Sequence, residues 1–121
     1  MIDLPERYNV STLLDANLDA GRGPKIALIC GEERVTYADL HARVCAIGRG
    51  LRALGLRQED RVVLILDDTP DLAVAFWGAL RIGAVPVPVN PLLRVDDYRF
   101  FVDDTYARAV VVAPGYLDKL T

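Results

Sequence analysis

At 121 residues and 52% hydrophobic content the chain suits one small domain or a piece of a larger one, which excludes disorder. Its 14 basic and 17 acidic residues give a formal net charge of −3 with no basic cluster that would track a phosphate backbone, excluding nucleic-acid binding. Cys30 and Cys45 have neither zinc-site spacing nor disulfide-scaffold density, Asp3 and Glu6 interrupt any apolar leader, and the longest apolar stretch, Leu72 to Leu80, falls far short of the ~20 residues that span a bilayer. A reducing cytoplasm is the expected setting, with no membrane partner.

In chain order, Ser11 is placed to cap a helix running to about Ala20, with Leu13, Leu14 and Leu18 on one stripe and Gly21-Arg22-Gly23-Pro24 ending it. That helix is expected to lie on the surface. Lys25 to Cys30 is rich in Ile, Leu and Ala, and Gly31-Glu32-Glu33 reads as a turn into Arg34-Val35-Thr36, predicting a short β-hairpin. Thr36 then caps a second, long helix, Asp39 completes a weaker form of the capping box, and Leu40, Val44, Ile47, Leu51 and Leu54 make a continuous 4-3-4-3 apolar stripe. Gly55 stops it where a left-handed residue is wanted.

From Arg61 the pattern changes. Val62 to Leu66 is apolar on both faces, which predicts a central parallel strand at 61–66 covered by helices on each side. Thr69 as cap and Pro70 at the first helical position begin the next helix, which ends before Gly83. The strand at 85–89 carries Pro86 and Pro88. Residues two apart in a strand send their N–H groups toward the same lateral edge, so both donors on that edge are missing and a full ladder can form on one side only. A helix from Asp96 to about Asp104, a third strand at 108–113 and another helix from Pro114 complete a partial doubly wound α/β fold with a parallel sheet. Residues 1–56 form its helix, hairpin and helix portion, and 57–121 its βαβαβ portion. Right-handed crossovers put the three strands in the order second, first, third, leaving the proline strand outside.

Several groups could carry chemistry. Asp67-Asp68 follows the apolar strand, where open α/β sheets hold metals and substrates. A receiver-like site would need a further Asp and a Lys at later strand ends. The strand ending at Ala113 offers only Pro114, so service of the next helix's N-terminus by Asp68 and Thr69 is the preferred reading. His41 and Cys45, four apart on one helix, can face each other. Two ligands do not make a zinc centre, and a solvent-edge histidine beside a semi-buried cysteine is expected instead. Gly21-Arg22-Gly23-Pro24-Lys25 has the glycine density of a phosphate loop but follows a helix and enters a strand, the reverse of the required setting. Gly48 and Gly50, inside the second helix, point to close packing. Phe76, Trp77 and Gly78 read as core, with an indole N–H that should find a partner, and Tyr98, Phe100 and Phe101 read the same way. Arg94 is the exposed cation near the C-terminal end of the proline strand and leaves open a phosphate contact. No catalytic, cofactor-binding or metal-ligating residue is assigned.

Taken in order, several segments resemble one family. Val35-Thr36-Tyr37-Ala38-Asp39-Leu40 resembles the N-terminal Leu-Thr-Tyr-x-Glu-Leu motif of the AMP-forming adenylate synthetases, the superfamily of acyl-CoA synthetases, adenylation domains and luciferases. Gly55-Leu56 with Asp60-Arg61-Val62 resembles that family's Gly-Leu…Gly-Asp-Arg-Val approach to a strand, and Ala79 to Pro91 its second motif. The opening Tyr8 to Asp15 with Gly21 to Lys25 is most similar to benzoate–CoA and related aromatic acid–CoA ligases. Asp39 replaces the commoner Glu, Glu59 the usual Gly, and Arg94 a frequent Ser or Thr cap, which predicts a frayed first turn in the following helix.

The resemblance implies a two-step ligase using ATP, Mg2+ and CoA, in which an acyl-adenylate forms with loss of pyrophosphate and the CoA thiol then displaces AMP. The family's phosphate loop ending in Pro-Lys-Gly, its downstream ATP-binding motifs and its C-terminal domain with the catalytic lysine are expected beyond Thr121. The segment is therefore expected to be an inactive N-terminal fragment that binds none of these groups. Its partners would be the remainder of the ligase and, through apolar surface left uncovered on the Leu40–Leu54 stripe or the sheet edges, itself. A free-standing α/β interaction or receiver-like signalling module is the alternative.

Overall fold

The computed structural model describes residues 1–121. Its elements run α1 (Thr12–Asp19), β1 (Ile26–Cys30), β2 (Glu33–Thr36), α2 (Tyr37–Ala53), β3 (Arg61–Ile65), α3 (Pro70–Arg81), β4 (Val85–Pro88), α4 (Val95–Asp104), β5 (Ala109–Val112) and a 3₁₀ helix, Pro114–Leu120. β1 and β2 form an antiparallel hairpin, and β3 lies between β4 and β5, parallel to both. The strand order is the expected one. Val85 N–H reaches Asp60 O at 2.8 Å and Val89 N–H reaches Leu64 O at 3.0 Å, so alternation turns Pro86 and Pro88 toward the outer edge.

β3 is the centre because it is apolar on both faces. Val62, Val63, Leu64 and Ile65 are all fully buried. On one face Val62, Leu64 and Leu66 pack with Leu51 of α2, Leu56, Ala75 and Ala79 of α3, Ile82 and Ala84. On the other, Val63 and Ile65 meet Tyr98 of α4. A third cluster joins the hairpin to the helices through Leu14, Val35, Leu40 and Val44, with Val74 and Trp77 against it. The α2–α3 contact is close because a glycine of each helix meets there. A Cβ on Gly78 would sit 1.9 Å from Ile47 Cγ2, and one on Gly48 would sit 3.3 Å from Gly78 O.

Several local expectations are corrected. Ser11 occupies the N-cap position but makes no capping bond, because its backbone is already helical; Asn9 Oδ1 accepts Ser11 N–H at 2.9 Å instead. Leu13 is exposed, since neighbouring helical residues point ~100° apart and Leu14 takes the inward direction. The hairpin turn is the pair Gly31-Glu32 alone, with Cys30 opposite Glu33 and Gly31 at the positive φ, +59°, that a two-residue turn favours. Thr36 does cap α2, accepting Asp39 N–H at 3.1 Å, and Gly55 has φ +94°. The stripe stops one residue short, however: Leu54 lies past the last turn, 77% exposed. Strand ends are trimmed to 61–65, 85–88 and 109–112, and the final helix is 3₁₀. Thr69 sits at the N-cap of α3 with Pro70 behind it, but its side chain accepts no capping bond. Arg94 lacks a side-chain acceptor, yet α4 begins there in good order because Asp97 Oδ2 accepts Arg94 N–H at 3.1 Å, the returning half of a capping box.

Candidate functional site

The chain doubles back on either side of β3, so the C-terminal ends of β3, β4 and β5 meet on one rim, the place where open α/β sheets receive ligands. Asp67 follows β3, Asn90 to Arg94 follow β4, and Pro114 to Leu120 follow β5. Tyr116 Oη donates to Asp67 Oδ1 at 2.6 Å, joining the first of these to the third. That acceptor holds the Tyr116 hydroxyl above its ordinary pKa of 10.0. Lys119 Nζ donates to Pro91 O at 3.2 Å and Leu93 O at 3.3 Å, and it stands 5.5 Å from the Tyr98 ring centre and 5.3 Å from that of Tyr116. Tyr98 Oη also donates to Pro91 O, and Asn90 Oδ1 accepts Leu92 N–H at 2.9 Å. The loop after β4 is thus held from beneath by α4 and from the side by the 3₁₀ helix. Asp68 and Arg94 project from this rim without an ion-pair partner.

A second polar cluster ties α1, α2 and α3 together. His41 Nε2 lies 2.7 Å from Asp15 Oδ1, and Arg81 Nη1 donates to both Asp15 oxygens at 3.1 and 3.2 Å. Cys45 Sγ is 3.9 Å from the His41 ring nitrogens. Burial pushes the Asp15 carboxyl up, but the hydrogen bonds from His41 and Arg81 and their charges outweigh it, holding it below its ordinary value of 3.8. The expected His41–Cys45 pairing is present, and its third and fourth members come from α1 and α3.

The remaining candidates have structural places. Gly21 to Lys25 is tied into the fold: the N–H groups of Gly21, Arg22 and Lys25, the donors a phosphate would need, already reach Leu18 O, Asn17 O and Arg22 O at 2.9 Å, while Gly23 O and Lys25 O accept Ala38 and Tyr37 N–H at 3.0 Å. Gly48 makes the expected close contact, whereas Gly50 faces open space. Trp77 packs edge-on to Phe76 at 6.0 Å and against the hairpin cluster, its half-exposed indole having no protein partner. Tyr98 is buried, Phe101 half-buried and Phe100 60% exposed; the core reading of Phe100 is overturned because it lies on the outer face of α4. The rim contacts of Tyr116 and Lys119 and the ion pairs of Asp15 and Arg81 lay outside the sequence reading. They join residues 26 to 66 apart, so no local pattern announces them.

An AMP-binding enzyme family model matches residues 16–121. Over 111 residues the chain is 40% identical to a 4-hydroxybenzoate–CoA/benzoate–CoA ligase of Rhodopseudomonas palustris, covering 91% of the chain and 21% of that ligase. Over 116 residues it is 42% identical to an acetyl-coenzyme A synthetase of Ralstonia nicotianae, covering 92% and 17%. A benzoate CoA ligase from Burkholderia xenovorans superposes with a TM-score of 0.88 at 35% identity, covering 94% of this chain and 23% of that one. The chain therefore spans about a fifth of the length of the relatives it matches. By that match over most of its length, and by a parallel sheet that superposes on a solved ligase, the chain belongs to the AMP-binding enzyme family.

Proposed function

We propose that this chain is the N-terminal part of the large N-terminal domain of an ATP-dependent aromatic acid–CoA ligase, with 1–56 as its helix, hairpin and helix portion and 57–121 as its βαβαβ portion. The observation that carries the reading is similarity along 91% of the chain to a fifth of a benzoate-activating ligase. The parent would join an aromatic carboxylate to ATP as an acyl-adenylate and pass the acyl group to CoA, in a reducing cytoplasm suited to the free thiols of Cys30 and Cys45. Similar identity to an acetyl-coenzyme A synthetase supports a parent in which the acid is chosen by residues outside this segment. A receiver-like module is not favoured, since the family match runs from residue 16 to 121.

Phosphoryl chemistry of this kind depends on a metal ion and basic groups at the phosphate oxygens. The residues present do not fit Mg2+: no three carboxylate, imidazole or thiol side chains converge, and Asp67 is engaged by Tyr116. The part this segment plays is architectural. It supplies β3 with its two covered faces and a rim whose loop is fixed by Tyr98 and Lys119.

The test is ATP–pyrophosphate exchange with benzoate and substituted benzoates. Residues 1–121 alone should give no exchange and no adenylate, while a reading frame that continues into a Pro-Lys-Gly loop should give both with an aromatic acid. Adenylate formation by the 121-residue chain, or a continued frame that activates only aliphatic acids, would overturn the proposal.

A further inference from the structure

The two cysteines of the chain stand in unlike surroundings. Cys30 ends β1 at the hairpin turn, opposite Glu33 and close to the exposed Glu32, with Glu33 paired to Arg43 at 3.3 Å. Cys45, half-buried on α2, forms one wall of a recess of about 240 Å³ whose other lining is Gly48, Arg49, Arg52, Arg81 and Ile82. Three guanidiniums thus gather around one thiol. Arg49 and Arg52 have no ion-pair partner, while Arg81 is engaged by Asp15. His41 lies one turn before Cys45, its two ring nitrogens each 3.9 Å from Sγ. Asp15 accepts the Nε2 proton at 2.7 Å, which leaves Nδ1 as the basic nitrogen. A nucleophile, a base and a carboxylate that orients the base are therefore assembled by α1 and α2, beside cations carried by α2 and α3.

We propose that Cys45 is a site of reversible mixed-disulfide formation with a small disulfide that carries carboxylates, the class to which glutathione disulfide belongs. A partly exposed thiol in electropositive surroundings is the setting that favours exchange. The arginines choose the reagent, because Arg49 and Arg52 have donors free for its carboxylates. His41 Nδ1 takes the thiol proton as Cys45 Sγ bonds to the nearer sulfur of the disulfide. The disulfide's own S–S bond breaks, and the departing thiolate takes the proton back from His41. One disulfide replaces another, so no further oxidant is needed. At Cys30 the glutamates of the turn oppose the same anionic reagent, and no imidazole stands by.

Competition between the two thiols within one molecule tests the site, each rate being read by alkylation of the remaining thiol and peptide mass spectrometry. With glutathione disulfide, Cys45 should react at least several-fold faster than Cys30, and the preference should shrink at high salt. Cystamine, a cationic disulfide, should remove or reverse the preference. Arg49→Gln with Arg52→Gln, both at exposed positions, should slow Cys45 toward glutathione disulfide while leaving its rate with a neutral disulfide unchanged. His41→Gln should slow Cys45 toward every disulfide and leave Cys30 as it was. The same ordering should hold in a continued reading frame. Equal rates at Cys30 and Cys45 with glutathione disulfide, a preference indifferent to the charge of the reagent, an unchanged rate in the folded double-glutamine chain, or a Cys45 that does not react in the longer protein would overturn the proposal.

Discussion

The two faces of β3 carry equally buried residues, yet they are covered in different ways. On the α2–α3 face nine buried residues share the contact, and two helices close over it through a glycine pair. On the α4 face a single ring, Tyr98 at 1% exposure, meets Val63 and Ile65, with half-buried Val87, Val102, Val110 and Val112 around it. One face is redundant and tightly spaced, whereas the other hangs on one large side chain whose hydroxyl and ring also position the rim loop. Redundant packing tolerates deletion but not insertion. A plugged face has the opposite weakness, and substitutions can tell the two apart.

The largest effect should follow Tyr98→Ala. Loss of a buried aromatic costs about 3–5 kcal/mol, and here α4, the rim loop and the 3₁₀ helix all rest on that ring. Urea unfolding should show the loss, and hydrogen exchange should place it in 90–120 while β3 and α3 keep more of their protection. A loss below ~1 kcal/mol would erase the contrast between the faces. Next comes Gly78→Ala. The new methyl meets Ile47 Cγ2 and, at 3.3 Å, Ile47 Cβ and Val44 O, so α2 and α3 must part. Overpacking of this kind costs about 1–3 kcal/mol. Gly50→Ala, on the same helix pair but facing open space, should instead stabilise by about 0.5–1 kcal/mol. Equal melting shifts for the two alanines would remove the claim that close approach is local to the Gly48–Gly78 crossing.

The same division explains what could be read from the residues. The buried strand at β3, the cap at Thr36, the stop at Gly55 and the outer place of the proline strand all follow from periods and donors a few residues apart, which the chain states directly. The family resemblance carried by Val35 to Leu40 and Ala79 to Pro91 matched in the same direct way. The rim was not legible. Around Asp67 the sequence states only a carboxylate pair and the helix start served by Asp68 and Thr69, whereas the partner of Asp67 lies 49 residues away on a 3₁₀ helix. Phe100 and Leu54 were misplaced for a related reason: an apolar residue at the margin of a stripe is assigned by what covers it, and nothing there does.

The smallest effects are electrostatic, and they separate the faces by the sign of the pH change. On the α2–α3 side, Asp15 has its pKa lowered in the folded chain by His41 and Arg81. Its contribution is complete above the ordinary carboxylate value and is lost as pH falls through the lowered one. On the α4 side, Tyr116 has its pKa raised by its bond to Asp67. Its contribution is complete below the ordinary tyrosine value and is lost as pH rises through the raised one. Both groups are open enough to solvent for screening to keep the effects small. Acid should therefore loosen the α1–α2–α3 clasp first and alkali the rim. Urea midpoints measured across pH should show a shallower acid fall in Asp15→Asn and a shallower alkaline fall in Tyr116→Phe. If Asp15→Asn changed the alkaline limb, or Tyr116→Phe the acid one, the two faces would be coupled through β3 and could not be treated as separate units.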